Sequence, residues 1–161
     1  MNESRIGPAP QAGPAARAGA LPAVEITKRV EFSASHRLFH PEFSDERNRE
    51  VFGVCANPNG HGHNYVLDVT LRGSPDPQTG MIIDLKELKE ILDELLVSQV
   101  DHKHLNHDVP FLRGCVPTVE MLVLRFWERL DGRIPGCTLS ELALYESRTN
   151  SARYRGPHGN A

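Results

Sequence analysis

Hydrophobic and polar residues alternate along residues 24–35. One parity is apolar and is broken only by Lys28; its members are Val24, Ile26, Val30, Phe32 and Ala34. A period of two predicts a strand with one buried face. The same alternation predicts a second strand, whose apolar face carries Tyr65, Leu67, Val69 and Leu71.

Two later stretches have helical periodicity instead. Asp84 and Glu87 have the spacing of a capping box, and the residues that follow predict a helix to about residue 98 with an apolar face of Leu85, Leu88, Leu92 and Leu95. A second helix is predicted from Thr118 until Pro135 and Gly136. Its apolar stripe has the i, i+3, i+4, i+7 spacing of an amphipathic helix: Val119, Leu122, Val123, Phe126, Trp127 and Leu130.

The connecting segments complete the predicted order of elements. Residues 37–60 have no clear period and predict a long loop with a short helical turn near Asp45. Residues 73–80 are a turn by composition. Further strands are expected at 81–84, as the return of a hairpin, and at 138–147 and 151–155. Because β-α-β alternation is lacking, we predict an α+β fold, with an antiparallel sheet and helices on one face.

The chain length and the ends of the chain define one expected domain. A chain of 161 residues suits a single core, which we place at 24–156. Residues 1–23 are rich in Ala, Pro and Gly and are predicted to form a disordered arm. Residues 157–161 are expected to be a flexible tail.

Charge and cysteine usage exclude several classes of protein. A formal net charge of −3 and a pI of about 6.2 disfavour a general nucleic-acid binder. No apolar run approaches the roughly 18 residues of a membrane-spanning helix, so no membrane partner is expected. Three cysteines without a C-x-x-C pair indicate a reducing, cytoplasmic compartment rather than a disulfide framework.

Three of the eight histidines fall in phase with the buried faces of the two predicted strands. His36 continues the apolar parity of the first strand, and His61 and His63 continue that of the second. Side chains two residues apart leave one face of a strand about 6 to 7 Å apart, so the three rings can surround one ion. Three neutral imidazoles suit Zn²⁺ with an open fourth position. The alternative is a set of core histidines that are each hydrogen-bonded, at a larger desolvation cost.

A cysteine and an Asp-His pair provide further candidate chemistry. Cys55 lies six residues before His61 and is a fourth ligand, a reactive thiol or an inert buried residue. Asp101 beside His102 suits a general acid–base pair, because the carboxylate fixes the imidazole tautomer. A second metal site at His102, His104 and His107, or a solvated polar loop, are the alternatives for this segment.

Acidic and hydroxyl residues near the second half of the chain suit ligand binding. Glu146 shares its parity with apolar residues of the predicted 138–147 strand, and its carboxylate can accept two parallel N–H donors. Its alternative role is a strand-end side chain that reaches solvent. Thr118 and Glu120 are most simply explained as residues of a helix start.

Six segments, in order and spacing, resemble the 6-pyruvoyltetrahydropterin synthase family, which also contains the 6-carboxytetrahydropterin synthases of the queuosine pathway. These segments are FSASHRL (32–38), CANPNGHGHNY (55–65), DPQTGMIIDL (76–85), DHKHLN (101–106), PTVE (117–120) and YES (145–147). The resemblance covers about residues 26–156. It implies the tunnelling fold, in which a four-stranded antiparallel sheet carries two helices on one face and subunits close into a barrel as trimers, usually stacked as a dimer of trimers.

The resemblance also implies a zinc enzyme that acts on 7,8-dihydroneopterin triphosphate, with active sites at subunit interfaces. The implied zinc ligands are His36, His61 and His63. Cys55 resembles the catalytic thiolate, and Asp101 and His102 resemble its proton-relay partners from a neighbouring subunit.

Glu146 resembles the residue that anchors the pterin, with Thr118 and Glu120 lining the same pocket. The sequence departs from animal members of the family at three positions near these motifs, namely Ala56, His104 and Val119. These departures concern substrate contacts rather than the implied metal ligands.

Two products are compatible with this resemblance. The C-x5-HGHNY spacing favours a carbon–oxygen lyase that eliminates triphosphate and forms 6-pyruvoyltetrahydropterin, the chemistry of tetrahydrobiopterin biosynthesis. The alternative is a carbon–carbon lyase that forms 6-carboxy-5,6,7,8-tetrahydropterin and releases acetaldehyde and triphosphate. A pterin-binding protein without catalysis is a more remote alternative.

Overall fold

The computed structural model describes residues 21–157. Its strands are β1 (Val24–His36), β2 (His61–Gly73), β3 (Lys103–His104), β4 (Thr138–Tyr145) and β5 (Ser151–Tyr154). Its α-helices are α1 (Asp45–Phe52), α2 (Leu85–Leu92) and α3 (Val119–Leu130). Helix α2 continues through a π-helical turn, Asp93–Val97, into a last turn, Ser98–Val100, and 3-10 turns cover Gly53–Ala56 and Pro110–Leu112. The predicted arm, apart from 21–23, and the predicted tail, apart from Pro157, lie outside the described residues.

The sheet has the strand order β3-β1-β2-β4-β5. Strands β1 and β2 pair antiparallel along their whole length, with His36 opposite His61 and Phe32 opposite Tyr65. The short strand β3 pairs parallel with β1. The α+β class is therefore confirmed, but the sheet is mixed and five-stranded rather than antiparallel and four-stranded. The difference arises because the chain leaving α2 runs beside the end of β1 before it turns away.

The prediction of a hairpin strand at residues 81–84 is wrong. The turn of residues 73–80 closes on Met81, whose carbonyl accepts the backbone N–H of Asp76 at 2.9 Å. Asp84 then caps α2 by accepting the N–H of Lys86 at 2.8 Å, so the chain enters a helix directly. Ile83 still packs into the core, at 9% exposure, which explains the apolar residue at this position.

The buried face of the sheet follows the apolar parity predicted from the sequence, except that Val24 at the start of β1 is 45% exposed. Phe32 stacks on Tyr65 with ring centroids 4.9 Å apart, and Phe126 of α3 meets Phe32 edge-on at 5.9 Å. Leu67 and Leu144 of neighbouring strands are fully buried in the same core. Helices α2 and α3 supply its other wall, as the leucines at positions 88, 92, 122 and 130 are also fully buried. Each Å² of apolar surface that is buried stabilises this packing by about 25 cal/mol.

Helix boundaries differ from the predictions in two places. Thr118 caps α3 as predicted, accepting the N–H of Met121, but the helix ends at Leu130, before Pro135. Helix α1 is a full helix of 8 residues rather than a short turn. Its N-cap is Ser44, and the buried amide of Asn48 binds the carbonyls of the segment that precedes it. Within residues 21–157 no helix has both the length and the apolar character needed to cross a membrane.

Candidate metal centre and active site

The paired ends of β1 and β2 bring the three predicted histidines together. His36, His61 and His63 each offer a ring nitrogen, and these atoms all lie within 4.8 Å of one another. The Nε2 atoms of His36 and His61 are 3.1 Å apart. Among the described residues this is the only such group of His, Cys, Asp and Glu side chains. The predicted convergence is therefore present in the structure, and Cys55 is not part of this group.

A backbone carbonyl orients the most buried of these rings. His36 is fully buried, and its Nδ1 lies 2.8 Å from the carbonyl oxygen of Pro117. A carbonyl oxygen only accepts, so Nδ1 carries the proton and the lone pair of Nε2 faces the other two histidines. An imidazole held in this way by its outer nitrogen is the usual arrangement of a histidine that binds a metal.

The electrostatics of the group favour neutral imidazoles at His36 and His63. Burial lowers the pKa of His36 to about 4, and the neighbouring histidines add to this shift. Burial also lowers the pKa of His63. The Nε2 atom of His63 is buried without a hydrogen-bond partner in the described structure. A buried imidazole nitrogen that lacks a donor fits a transition-metal ion, so these residues suit the metal ion that the family resemblance implies.

Glu146 lies beside the histidines, directly after β4. Its Oε1 atom is 3.6 Å from Nε2 of His36 and 3.8 Å from Nε2 of His63. Glu146 also lines a cleft of about 450 Å³ together with Thr118 and Glu120. The structure therefore brings the three predicted substrate-binding residues to one cleft, and that cleft borders the histidine group.

Cys55 lies on the 3-10 turn between α1 and β2, and its side chain is half-buried. Its carbonyl oxygen accepts the N–H of Leu38 at 2.9 Å. Leu38 follows His36 by two residues, so this bond joins the cysteine turn to the end of β1. Cys115 and Cys137 are also free and half-buried, and burial raises the pKa of both thiols.

Asp101 and His102 form the predicted pair on the segment between α2 and β3. The Nδ1 atom of His102 is 2.9 Å from Oδ2 of Asp101. The other oxygen of Asp101 accepts the N–H of Ser33 at 2.8 Å, and this bond, followed by the contact with His102, lowers the pKa of Asp101. His102 is 82% exposed and has a positive φ of 56°. The pair is therefore fixed at its carboxylate, while its imidazole is presented to solvent.

The alternative of a second metal site in this segment is not supported. His104 and His107 lie close, with ring centroids 4.4 Å apart. However, the ring nitrogens of residues 102, 104 and 107 do not form a ligand group within the part of the chain that the structure describes. His104 instead lines a cleft of about 580 Å³ with His102 and His63.

Sequence analysis did not predict the groups that orient the candidate site residues by hydrogen bonds. The Pro117 carbonyl is a backbone atom that no residue pattern marks. Arg37 and Asn106 lie within the quoted motifs, but only the structure shows that they bind each other. Their positions directly after His36 and after the DHKHL sequence were the signal available.

Comparison with known proteins defines first a class of enzyme, the pterin synthases. The family described as 6-pyruvoyl tetrahydropterin synthase matches residues 25–157. The solved structure of the Caenorhabditis elegans 6-pyruvoyl tetrahydropterin synthase has a TM-score of 0.79 at 38% identity, covering 86% of this chain and 99% of that chain.

Two curated relatives differ in name. The Homo sapiens 6-pyruvoyl tetrahydrobiopterin synthase is 42% identical over 132 residues, 82% of this chain and 91% of that protein. The Synechocystis 6-carboxy-5,6,7,8-tetrahydropterin synthase is 31% identical over 136 residues, 82% of this chain and 93% of that protein. The chain belongs to the 6-pyruvoyl tetrahydropterin synthase family, and the predicted resemblance is confirmed.

Proposed function

We propose that this chain is a zinc-dependent lyase that converts 7,8-dihydroneopterin triphosphate to 6-pyruvoyltetrahydropterin with loss of triphosphate. The observation that carries the proposal is the group of three histidines beside a cleft lined by Glu146, Thr118 and Glu120. Membership of the family supports it. The relatives at 42% identity are named for this activity.

The chain's own residues supply the parts of this chemistry. His36, His61 and His63 hold the zinc ion, which when bound acts as a Lewis acid that makes the neighbouring protons of the substrate side chain more acidic. Glu146 accepts hydrogen bonds from adjacent N–H groups of the pterin ring, since a carboxylate has two acceptor oxygens.

Proton transfer falls to the cysteine and the Asp-His pair. The thiolate of Cys55 takes a proton from a side-chain carbon of the substrate. His102 receives or returns protons, and Asp101 keeps its Nδ1 protonated so that Nε2 faces the substrate. In the elimination, the Cys55 thiolate takes the proton from carbon, and triphosphate leaves with the electron pair of its bond to carbon. The rearrangement that follows only moves protons within the substrate.

We also propose that subunits assemble through their sheet edges and share active sites. In the single chain β3 and β5 are edge strands, and open edges favour pairing with another chain. The exposed imidazole of His102 lies at the β3 edge, where a neighbouring subunit can present substrate to it. Trimers stacked in pairs satisfy both features. Sedimentation that shows a monomer at working concentration would contradict this assembly.

A second candidate is 6-carboxy-5,6,7,8-tetrahydropterin synthase, the queuosine-pathway activity. The Synechocystis relative at 31% identity favours it, whereas the C-x5-HGHNY spacing and the higher identity to the pyruvoyl enzymes favour the first proposal. We place either activity in the cytoplasm, because all three cysteines are free. A disulfide in protein purified without reductant would contradict this location.

One incubation tests the function. Zinc-loaded protein is mixed with 7,8-dihydroneopterin triphosphate, and triphosphate, acetaldehyde and pterin products are measured by chromatography. We expect triphosphate and a pyruvoyl pterin without acetaldehyde. Acetaldehyde would assign the carboxy reaction instead, and tight pterin binding without triphosphate release would assign a binding protein.

A further inference from the structure

Asn106 forms two hydrogen bonds with the backbone of Arg37, the residue that directly follows His36 at the end of β1. Its Oδ1 accepts the Arg37 N–H at 2.8 Å, and its Nδ2 donates to the Arg37 carbonyl at 2.9 Å. The backbone pairing beside it ends where the N–H of Leu105 donates to the carbonyl of Ser35 at 2.8 Å. The side-chain amide thus supplies the next pair of hydrogen bonds that β3 itself no longer makes.

The side chain of Arg37 extends in the other direction, to the cysteine turn. Its Nε donates to the carbonyl of Ala56 at 2.8 Å. The neighbouring carbonyl, that of Cys55, accepts the N–H of Leu38 at 2.9 Å. The guanidinium lies over the ring of Phe39, with Cζ 4.6 Å from the ring centroid, which fixes its direction. Two successive carbonyls of the turn are therefore held by residues 37–38.

These bonds connect three segments of the chain that carry candidate functional residues. The segment carrying Asp101 and His102 ends in Asn106, Asn106 holds the residue after His36, and that residue holds the turn of Cys55. We infer that Arg37 and Asn106 are positioning residues, which fix the Cys55 thiol relative to the histidine group. The inference rests on the proposed function, in which Cys55 is the base.

The size of the effect follows from the sensitivity of proton transfer to geometry. A displacement of about 1 Å at a reacting group can cost on the order of 100-fold in rate. Neither Arg37 nor Asn106 lines the cleft of Glu146, Thr118 and Glu120. We call the bonds of Asn106 to Arg37 and of Arg37 to Ala56 the clamp. Loss of the clamp should therefore lower kcat and leave KM and metal binding nearly unchanged, because Glu146 and the three histidines stay in place.

Variants at Asn106 test this. Asn106→Ala removes both bonds to Arg37, whereas Asn106→Asp keeps the acceptor for its N–H and loses the donor for its carbonyl. The matched control is Gln78→Ala, which removes an exposed amide from the turn of residues 73–80. Each purified protein is compared for kcat, KM, zinc content and thermal midpoint.

A chemical readout reports on Cys55 without turnover. Iodoacetamide labelling is followed by peptide mass spectrometry, with Cys115 and Cys137 as internal references in the same chain. We expect Asn106→Ala to lower kcat on the order of 10- to 100-fold, with KM and zinc content near wild type. Labelling of Cys55 alone should become faster, because its turn is released. Asn106→Asp should lie between the two, and Gln78→Ala should match wild type.

Other outcomes overturn the inference. Unchanged kcat and unchanged Cys55 labelling in Asn106→Ala would show that the clamp does not position the thiol. A loss of zinc, or labelling that accelerates equally at all three cysteines, would show a merely structural role. If Asn106→Ala does not fold, Arg37→Met keeps both backbone bonds and removes the guanidinium, with its Nε donor to Ala56 and its contact with Phe39, and the same comparisons apply to it.

Failure of the proposed function is separable from failure of this inference. A wild-type protein that does not turn over 7,8-dihydroneopterin triphosphate refutes the function. The labelling rates still decide the clamp in that case: faster labelling of Cys55 alone supports it, and equal rates overturn it.

Discussion

The histidine group and the Asp101–His102 pair are two candidate functional groups of this chain that are built in opposite ways. The histidines extend from the regular, paired ends of β1 and β2, and His36 among them is fully buried. His102 lies on an irregular segment, is 82% exposed and has a left-handed backbone with φ of 56°. The first is organised within one chain, whereas the second offers its imidazole outward.

The exposed pair is nevertheless tied to the same strand as the buried group. Oδ1 of Asp101 accepts the N–H of Ser33, and the N–H of His102 donates to the Ser33 carbonyl at 2.6 Å. Asn106 makes the corresponding pair of bonds to Arg37 beyond the other end of β3. A strand of only two residues is thus extended at one end by the Asp101 carboxylate and the His102 backbone, and at the other end by the Asn106 side chain, which fixes its register against β1.

Removing one histidine should produce the largest effect. His61→Ala leaves two imidazoles, and we expect loss of bound zinc together with a fall in kcat/KM of at least about 10³-fold, since a Lewis acid contributes several kcal/mol to such a reaction. Zinc content by mass spectrometry and product formation measure the two effects. The control is His107→Ala, which removes an exposed imidazole outside the group. Retained zinc and activity in His61→Ala would break the assignment of the centre.

The contrast between the two regions also explains what could be predicted from the sequence. Strand parity placed His36, His61 and His63 on one face, because the side chains of a regular strand alternate with a fixed period. Adjacency alone placed Asp101 beside His102. Neither rule reaches the Pro117 carbonyl or β3, because these contacts join backbone segments far apart in the chain. The clamp was missed for the same reason.

Mixed assemblies test whether the exposed pair serves a neighbouring subunit. Cys55→Ala and His102→Ala should each lose about 10²- to 10³-fold in kcat as single variants while keeping zinc, because each removes one proton-transfer group. Co-expressed with different tags and purified as hybrids, they should recover activity. Random mixing in equal amounts gives about a quarter of the interfaces both intact groups.

Two results would contradict these assignments. No recovery in a verified hybrid would place His102 in the site of its own subunit, which would remove the distinction drawn between the two regions. Loss of zinc in Cys55→Ala would make the cysteine a metal ligand instead of a base.

The buried group should also make the stability of zinc-free protein depend on pH. Burial lowers the pKa of His36 to about 4 from its ordinary 6.5, so the unfolded chain takes up a proton that the folded chain refuses. Stability is then full above pH 6.5 and falls as the pH decreases towards 4, by up to roughly 3 kcal/mol. Urea unfolding of the stripped protein at several pH values measures this. The control variant His107→Ala should keep this dependence and His36→Gln should lose most of it; equal curves for wild type and His36→Gln would contradict the assignment.

Asp101→Asn should give the smallest effect, because it changes an orientation and removes no reacting group. An asparagine oxygen can still accept the N–H of Ser33, so the anchor to β1 stays. The amide group that then faces Nδ1 of His102 is a donor and favours the opposite tautomer. We expect a loss in kcat on the order of tenfold, with zinc content and KM unchanged and an altered pH profile.

The Asp101→Asn variant shows which contact of the Asp101 carboxylate matters, the one with Ser33 or the one with His102. If kcat falls together with zinc content, the carboxylate supports the metal centre through β1 and not the imidazole. If Asp101→Asn is fully active while Asp101→Ala is impaired, the bond to Ser33 is the important one, and the role of the residue is to hold the segment before β3 in place. Only a loss shared by both variants, with the thermal midpoint of Asp101→Asn near wild type, agrees with a carboxylate that orients His102.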